Sequence, residues 1–98
     1  MQIWKHAVNT RTLLNEVLSS DKYNCIEADV TWNNIFNKPV MKHESVSSSS
    51  YSDEFLFENF IKIILNSDWL YKNGKKIVKL DFNNVDCVNS CIEYIKQC

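Results

Sequence analysis

The stretch Cys25–Val30, which reads CIEADV, combines a short apolar run with two carboxylates two residues apart. Side chains alternate between the faces of a β-strand, so Glu27 and Asp29 are predicted to share one face while the apolar residues share the other. Two carboxylates placed together on an apolar strand are costly unless a cation lies between them. Because Mg²⁺ and Ca²⁺ prefer carboxylate oxygens, this strand predicts one side of a divalent-metal site. The alternative is a salt-bridged or solvent-facing pair on a half-exposed strand.

Polar residues that fit such a site also occur in other apolar runs. Asp81 lies in the run Ile77–Phe82, and Lys79, two residues earlier, shares its face as a phosphate ligand or as the counter-ion of Asp81. The only two histidines, His6 and His43, each end a short apolar run. We therefore predict a site in which three carboxylates hold Mg²⁺ or Ca²⁺ and the histidines act as base or nucleophile and as general acid.

Each histidine taken singly also fits a structural role. His6 lies two residues from Trp4, and His43 precedes Glu44, with which it can pair in a loop. The site hypothesis therefore depends on the five residues converging.

Periodicity predicts the order β-α-β-β-α-β-α, and alternation of strands and helices favours a parallel α/β sheet covered on both faces. In such sheets functional residues gather where the strands end. The segment 44–52 is serine-rich and predicts a mobile loop. The predicted strands are 2–8, 24–31, 39–43 and 77–82; the predicted helices follow caps at Thr10, at Ser52 or Asp53, and at Asn83 or Asn84.

Length and composition indicate one small domain over residues 1–98. The chain is 45% hydrophobic, carries a net charge of −1 and has no long basic block, which argues against a nucleic-acid-binding surface. No apolar run is long enough for a membrane span, and the first residues do not read as a signal peptide, so the chain as written is expected in the cytosol.

The four cysteines are expected to be buried or free thiols. Cys87 and Cys91 lie four residues apart on one face of the last predicted helix. No C-x-x-C pair is present, and the spacing of Cys25 and Cys98 relative to these two is not that of a small disulfide-stapled domain. Zinc binding and a disulfide framework are both disfavoured.

Four segments together resemble the menorin domain in order and spacing. They are Trp4–Asn9, Ile26–Val30, Pro39–His43 and Ile77–Phe82, which include the pieces HAVN, EADV and KLDF. The resemblance extends over nearly the whole chain.

Menorin domains are similar to the glycerophosphodiester phosphodiesterases and to sphingomyelinase D type phospholipases, which are TIM-type (β/α) barrels with one metal site. The resemblance implies that His6 and His43 match the two catalytic histidines of those enzymes. It also implies that Glu27, Asp29 and Asp81 match their metal carboxylates. For the family itself it implies an extracellular role, as a cofactor in a cell-surface adhesion complex.

The sequence departs from the family pattern at three points. Lys42 and Glu44 flank His43 where the family has a small residue and prolines, and Asn83 stands where the family has a lysine. A TIM barrel needs roughly 200 residues or more, so this chain is expected to supply the N-terminal half of a truncated barrel. The open sheet edge left by such a half predicts self-association.

Three functions follow from these observations. The first is a non-catalytic menorin-type interaction factor whose partners are cell-surface adhesion proteins. The second is a Mg²⁺-dependent phosphodiesterase acting on a phospholipid or glycerophosphodiester, with no organic cofactor. The third is an inactive fragment.

Overall fold

The computed structural model describes residues 2–43, 55–72, 74–83 and 85–98. The predicted order of elements is confirmed, with one short 3₁₀ helix, Asp68–Tyr71, added before the last strand. The serine-rich segment 44–52 and the caps predicted at Ser52 or Asp53 and at Asn84 lie outside the described residues. The strands are β1 (Trp4–Lys5), β2 (Cys25–Asn33), β3 (Lys38–Met41) and β4 (Ile77–Phe82), and the helices are α1 (Arg11–Ser19), α2 (Phe57–Leu65) and α3 (Val85–Lys96).

Strand β2 is the centre of one four-stranded sheet and pairs with all three other strands. Along one edge the carbonyls of Glu27 and Asp29 accept hydrogen bonds from the backbone N–H groups of Val8 (2.9 Å) and Lys42 (3.0 Å). Along the opposite edge β4 pairs in parallel with residues 25–30 of β2. Strands β1 and β3 therefore follow one another along one edge of β2, and β4 occupies the other.

The prediction of a parallel sheet is wrong for β3, which runs antiparallel to β2. The reason is the connection: only residues 34–37 separate the two strands, and a link that short permits only antiparallel pairing. The Asn33 carboxamide oxygen accepts from the backbone N–H groups of Ile35 and Phe36, and Asn37 takes a positive φ of 52°. The sheet is mixed, and the described strands do not show a TIM-type barrel.

The helices that the structure describes, α1, α2 and α3, pack on the same face of the sheet. The alternate residues Ile26, Ala28 and Val30 of β2 are fully buried and belong to one hydrophobic cluster with residues of α1, α2 and α3. The expected covering by helices on both faces is not found in the described part of the chain, where the other face of β2 and β4 carries Glu27, Asp29, Lys79 and Asp81 and no described helix packs on it. In the part of the chain that the structure describes, no helix is both long and apolar enough to cross a membrane.

The starts of α1 and α2 follow local hydrogen bonding and strand pairing more closely than they follow the apolar periodicity of the sequence. The predicted Thr10 cap of α1 is confirmed, since its hydroxyl accepts from the Leu13 N–H at 3.1 Å. Helix α2 begins at Phe57, later than predicted, because Leu56 forms an antiparallel bridge with Val40.

Helix α3 turns its cysteines inward. Cys87 and Cys91 are fully buried, whereas Val85, Ile92 and Ile95 are 77%, 45% and 46% exposed. Helical periodicity predicts Val85, Val88, Ile92 and Ile95 as the apolar side of this helix, and that side is largely exposed. Cys25 is also buried and Cys98 is exposed, and the four cysteines are thiols in this structure, three of them buried.

Candidate metal site

Strands β2 and β4 bring the three predicted carboxylates together on the face of the sheet opposite the described helices. Glu27 is the register partner of Lys79, and Asp29 is the register partner of Asp81. Partners in a ladder project from the same face, so the four side chains form a two-by-two patch. One carboxylate oxygen from each of Glu27, Asp29 and Asp81 lies within 4.8 Å of the others.

This spacing fits a shared divalent cation. Two oxygens on opposite sides of Ca²⁺ lie about 5 Å apart, and about 4 Å apart around Mg²⁺. Without a cation, two carboxylates at such a distance repel each other by about 3–4 kcal/mol at an effective dielectric constant near 20. Lys79 supplies one opposing charge, with its Nζ 3.8 Å from Asp81 Oδ1. Carboxylate oxygens are a suitable donor set for Mg²⁺ or Ca²⁺.

The segment that follows β1 donates two backbone hydrogen bonds to Glu27. The Ala7 N–H donates to Glu27 Oε1 at 2.7 Å, and the Val8 N–H donates to the Glu27 carbonyl at 2.9 Å. Ala7 reaches this position with a φ of 55°, in the left-handed region that costs a residue with a Cβ roughly 1–2 kcal/mol. The fold thus maintains a strained residue that directs an N–H toward a carboxylate oxygen.

Asn9 holds Asp29 through two hydrogen bonds. Its side-chain Nδ2 donates to Asp29 Oδ2 at 3.0 Å, and its Oδ1 accepts from the Asp29 backbone N–H at 2.8 Å. Sequence reasoning did not assign Asn9 or Ala7 to the site, although both lie in the HAVN piece that carried the family resemblance. An asparagine just before a helix cap is an ordinary loop residue by sequence, so no local signal distinguished it.

His6 lies at the rim of the acidic patch. Its Nδ1 is 3.7 Å from Glu27 Oε1, and its side chain is 74% exposed. The imidazole stacks on Trp4, with ring centroids 6.2 Å apart and the planes 17° apart. A shallow pocket on this face is lined by Trp4, His6, Glu27, Lys79 and Asp81.

His43 does not line this pocket. It is exposed in the bend that follows β3, and its backbone carbonyl accepts from Asn83 Nδ2 at 3.2 Å. The prediction that it ends a strand Pro39–His43 is wrong, because β3 stops at Met41. His43 thus lies beside the residue that follows β4, whereas His6 lies beside the Glu27 carboxylate.

The carboxylates also lie at a different place along β2 than predicted. They were expected in the later half of a strand ending near residue 31, but Glu27 and Asp29 are the third and fifth residues of a nine-residue strand. The parallel part of the sheet ends at Val30, and β2 continues beyond it only to pair with β3. The site therefore lies near the end of the parallel strands but within β2.

The fold and site describe a small mixed α/β domain with a candidate divalent-cation site on an open sheet face. The family model for the Menorin N-terminal domain matches residues 2–98, and the chain belongs to this family. No curated protein and no solved structure gives a significant match.

Proposed function

We propose that this domain is a non-catalytic, cation-dependent interaction domain that binds one Mg²⁺ or Ca²⁺ through Glu27, Asp29 and Asp81. The observation that carries the proposal is the approach of one oxygen from each carboxylate to within 4.8 Å of the others. A cation held from one side keeps coordination positions for an oxygen ligand, such as a carboxylate of a partner protein. The resemblance to menorin domains favours a cell-surface adhesion protein as that partner.

The exposure of the site supports an interaction role over catalysis. The side chains of His6, Lys79 and Asp81 are 74%, 61% and 47% exposed, whereas that of Glu27, which lies deeper in the patch, is 14% exposed. Electrostatic stabilisation of a transition state is strongest in sites that exclude water, and the described residues around this patch do not enclose it. The second predicted catalytic histidine, His43, also stands outside the pocket.

Calorimetric titration of the 98-residue chain with CaCl₂ and with MgCl₂ tests cation binding. We expect one-to-one binding with a Kd of about 10⁻⁴ M, in the range of open extracellular sites. The variant Glu27→Gln/Asp29→Asn should lose this binding. The matched control Asp21→Asn/Glu93→Gln removes the same charge from exposed ion pairs and should retain it.

Two results would contradict the proposal. If the wild type gives no saturable heat with either cation, the acidic patch is not a metal site. If both double variants lose affinity equally, the effect is that of net charge and not of these ligands.

A metal-dependent phosphodiesterase is the second candidate, and the 3.7 Å approach of His6 Nδ1 to Glu27 favours it. In this alternative a bound cation would supply positive charge to the phosphoryl group, Lys79 would bind a phosphate oxygen, and His6 would act as base or nucleophile. His43 would have to act as the general acid from outside the described pocket.

Hydrolysis of bis(p-nitrophenyl) phosphate and of glycerophosphocholine with Mg²⁺ or Ca²⁺ separates the two candidates. The interaction proposal expects no cation-dependent turnover. Turnover that His6→Ala abolishes, while calorimetry shows retained cation binding, would replace that proposal with the enzyme.

A further inference from the structure

The outer edge of β4 carries backbone groups that no other described strand pairs with. The Ile77 N–H donates to the Asn24 carbonyl and the Asn83 N–H donates to the Val30 carbonyl, both at 3.2 Å, so odd-numbered residues of β4 face β2. Backbone groups of successive residues point to opposite edges of a strand, and among the described residues no strand pairs with the outer edge. The outward groups belong to Val78, Leu80 and Phe82.

The sequence of β4 is symmetric in chemical character about Leu80. In the order VKLDF, an apolar residue and Lys79 precede Leu80, and Asp81 and an apolar residue follow it. If two copies of β4 pair antiparallel with Leu80 opposite Leu80, Lys79 of each copy lies opposite Asp81 of the other. Val78 then lies opposite Phe82.

The backbone pattern agrees with the same register. In an antiparallel pair, residues whose N–H and C=O point toward the partner strand must lie opposite each other. Val78, Leu80 and Phe82 satisfy this condition when Leu80 lies on the symmetry axis. Lys79 and Asp81 then form the pairs between hydrogen-bonded ones, where side chains approach more closely.

Helix α3 presents an apolar flank on the β4 side of the molecule. Tyr94 faces α2, where its ring contacts Phe57 and its hydroxyl donates to the Glu58 carbonyl at 3.4 Å, and α3 also contacts β3 on that side. Cys87 and Cys91 face the sheet. The flank opposite α2 carries Val88, Ile92 and Ile95, of which the two isoleucines are nearly half exposed.

We propose that the outer edge of β4 is a homodimerisation edge, on which a second copy of this chain pairs antiparallel about Leu80. The charge pattern favours a second copy of this chain as the partner. Two β4 strands related by a two-fold axis form both attractive Lys79–Asp81 pairs. The continuous sheet would place the two α3 flanks on the same side of the seam, which would shield their isoleucines. This dimer does not rest on the proposed cation binding.

Charge exchange tests the register. Sedimentation velocity over a series of protein concentrations should show a reversible monomer–dimer equilibrium for the wild type. Lys79→Asp and Asp81→Lys each place two pairs of like charges opposite each other in the dimer. Each variant should therefore weaken dimerisation about tenfold or more. The double variant Lys79→Asp/Asp81→Lys restores both pairs and should return dimerisation to within about threefold of wild type.

The exchange also separates this proposal from cation binding. The double variant lacks Asp81 and should lose the calorimetric signal for Ca²⁺ while recovering the dimer. Thermal denaturation of each variant establishes that the single variants remain folded.

Disulfide trapping gives a second test that does not depend on charge. In a Cys98→Ser background, which removes the exposed thiol, Lys79→Cys alone and Asp81→Cys alone should not cross-link under mild oxidation. A mixture of the two should, because residues in such a pair have Cα atoms about 4.5 Å apart, within disulfide range.

A wild type that stays monomeric at every concentration would overturn the proposal. Cross-linking of either single variant to itself as efficiently as in the mixture would overturn the register. A dimer unaffected by the single charge changes would place the interface elsewhere.

Discussion

Alternate residues of strands β2 and β4 form the two faces of the sheet, and the two faces differ in physical character. On one face Ile26, Ala28 and Val30 are fully buried beneath the helices. On the other, Glu27 and Asp29 stand beside Lys79 and Asp81, and none of the described helices packs over them. The buried face contributes stability through the packing of apolar side chains. The open face brings like charges together, and this arrangement favours folding only when a cation compensates the charge.

The buried face should show the largest response to mutation. Ile26→Ala removes a fully buried side chain and should lower the free energy of unfolding by about 2–5 kcal/mol. Urea denaturation measures the loss, and the exposed Ile35→Ala is the control, expected within about 1 kcal/mol of wild type. Equal losses in both variants would contradict the assigned core.

The buried thiols of α3 should make the stability of the domain sensitive to alkaline pH. Burial, with a smaller contribution from neighbouring Cys87, raises the pKa of Cys91 from 9.0 to about 12. The folded state therefore binds the Cys91 thiol proton more tightly than the unfolded state does. The resulting contribution to the free energy of unfolding is fully present below pH 9 and is lost as pH rises toward 12. By pH 10.5 the loss is about 2 kcal/mol.

Urea denaturation between pH 8 and 10.5 measures this loss against Cys91→Ala. The variant should start less stable but decline less steeply with pH. The exposed Cys98→Ala should keep the wild-type slope, and a slope unchanged in Cys91→Ala would show that other groups cause the decline.

The Asn9 side chain should matter more than an ordinary loop residue. Asn9→Ala removes both hydrogen bonds to Asp29 and should cost about 1–3 kcal/mol of unfolding free energy. It should also weaken Ca²⁺ binding in calorimetry, because Asp29 loses the contact that orients it. Asn15→Ala on the exposed side of α1 is the control, and an Asn9→Ala protein of wild-type stability and affinity would remove Asn9 from the site.

The open face should show the smallest effect, and of opposite sign. In chelator, and at a protein concentration low enough that the chain is monomeric, Asp81→Asn removes one of three mutually repelling charges and should raise the free energy of unfolding by about 1 kcal/mol. Added Ca²⁺ should stabilise the wild type and not the variant. Asp21→Asn, in an exposed ion pair, should change little in either condition, whereas a destabilised Asp81→Asn in chelator would mean that Asp81 serves packing or pairing instead.

Local patterns in the chain were sufficient to predict the elements. Strand β4 has the predicted bounds 77–82, the Thr10 cap is confirmed, and the carboxylates share a face as alternation requires. Alternation of strands with helices predicts a parallel β3, but the short 34–37 connection permits only antiparallel pairing. The inward side of α3 was missed because cysteines pack as small apolar residues, so Cys87 and Cys91 compete with the valine and isoleucine stripe.

The amino-acid sequence by itself determined which residues could share a face, because side-chain direction along a strand follows from covalent geometry. It thus placed Glu27 with Asp29 and Lys79 with Asp81. Only the tertiary structure decided the register that sets Asp29 beside Asp81, the strained Ala7 that directs an N–H at Glu27, and the separation of His43 from His6. These depend on contacts between residues about 20 to 50 positions apart, which are selected by packing of the whole domain and not by any local preference.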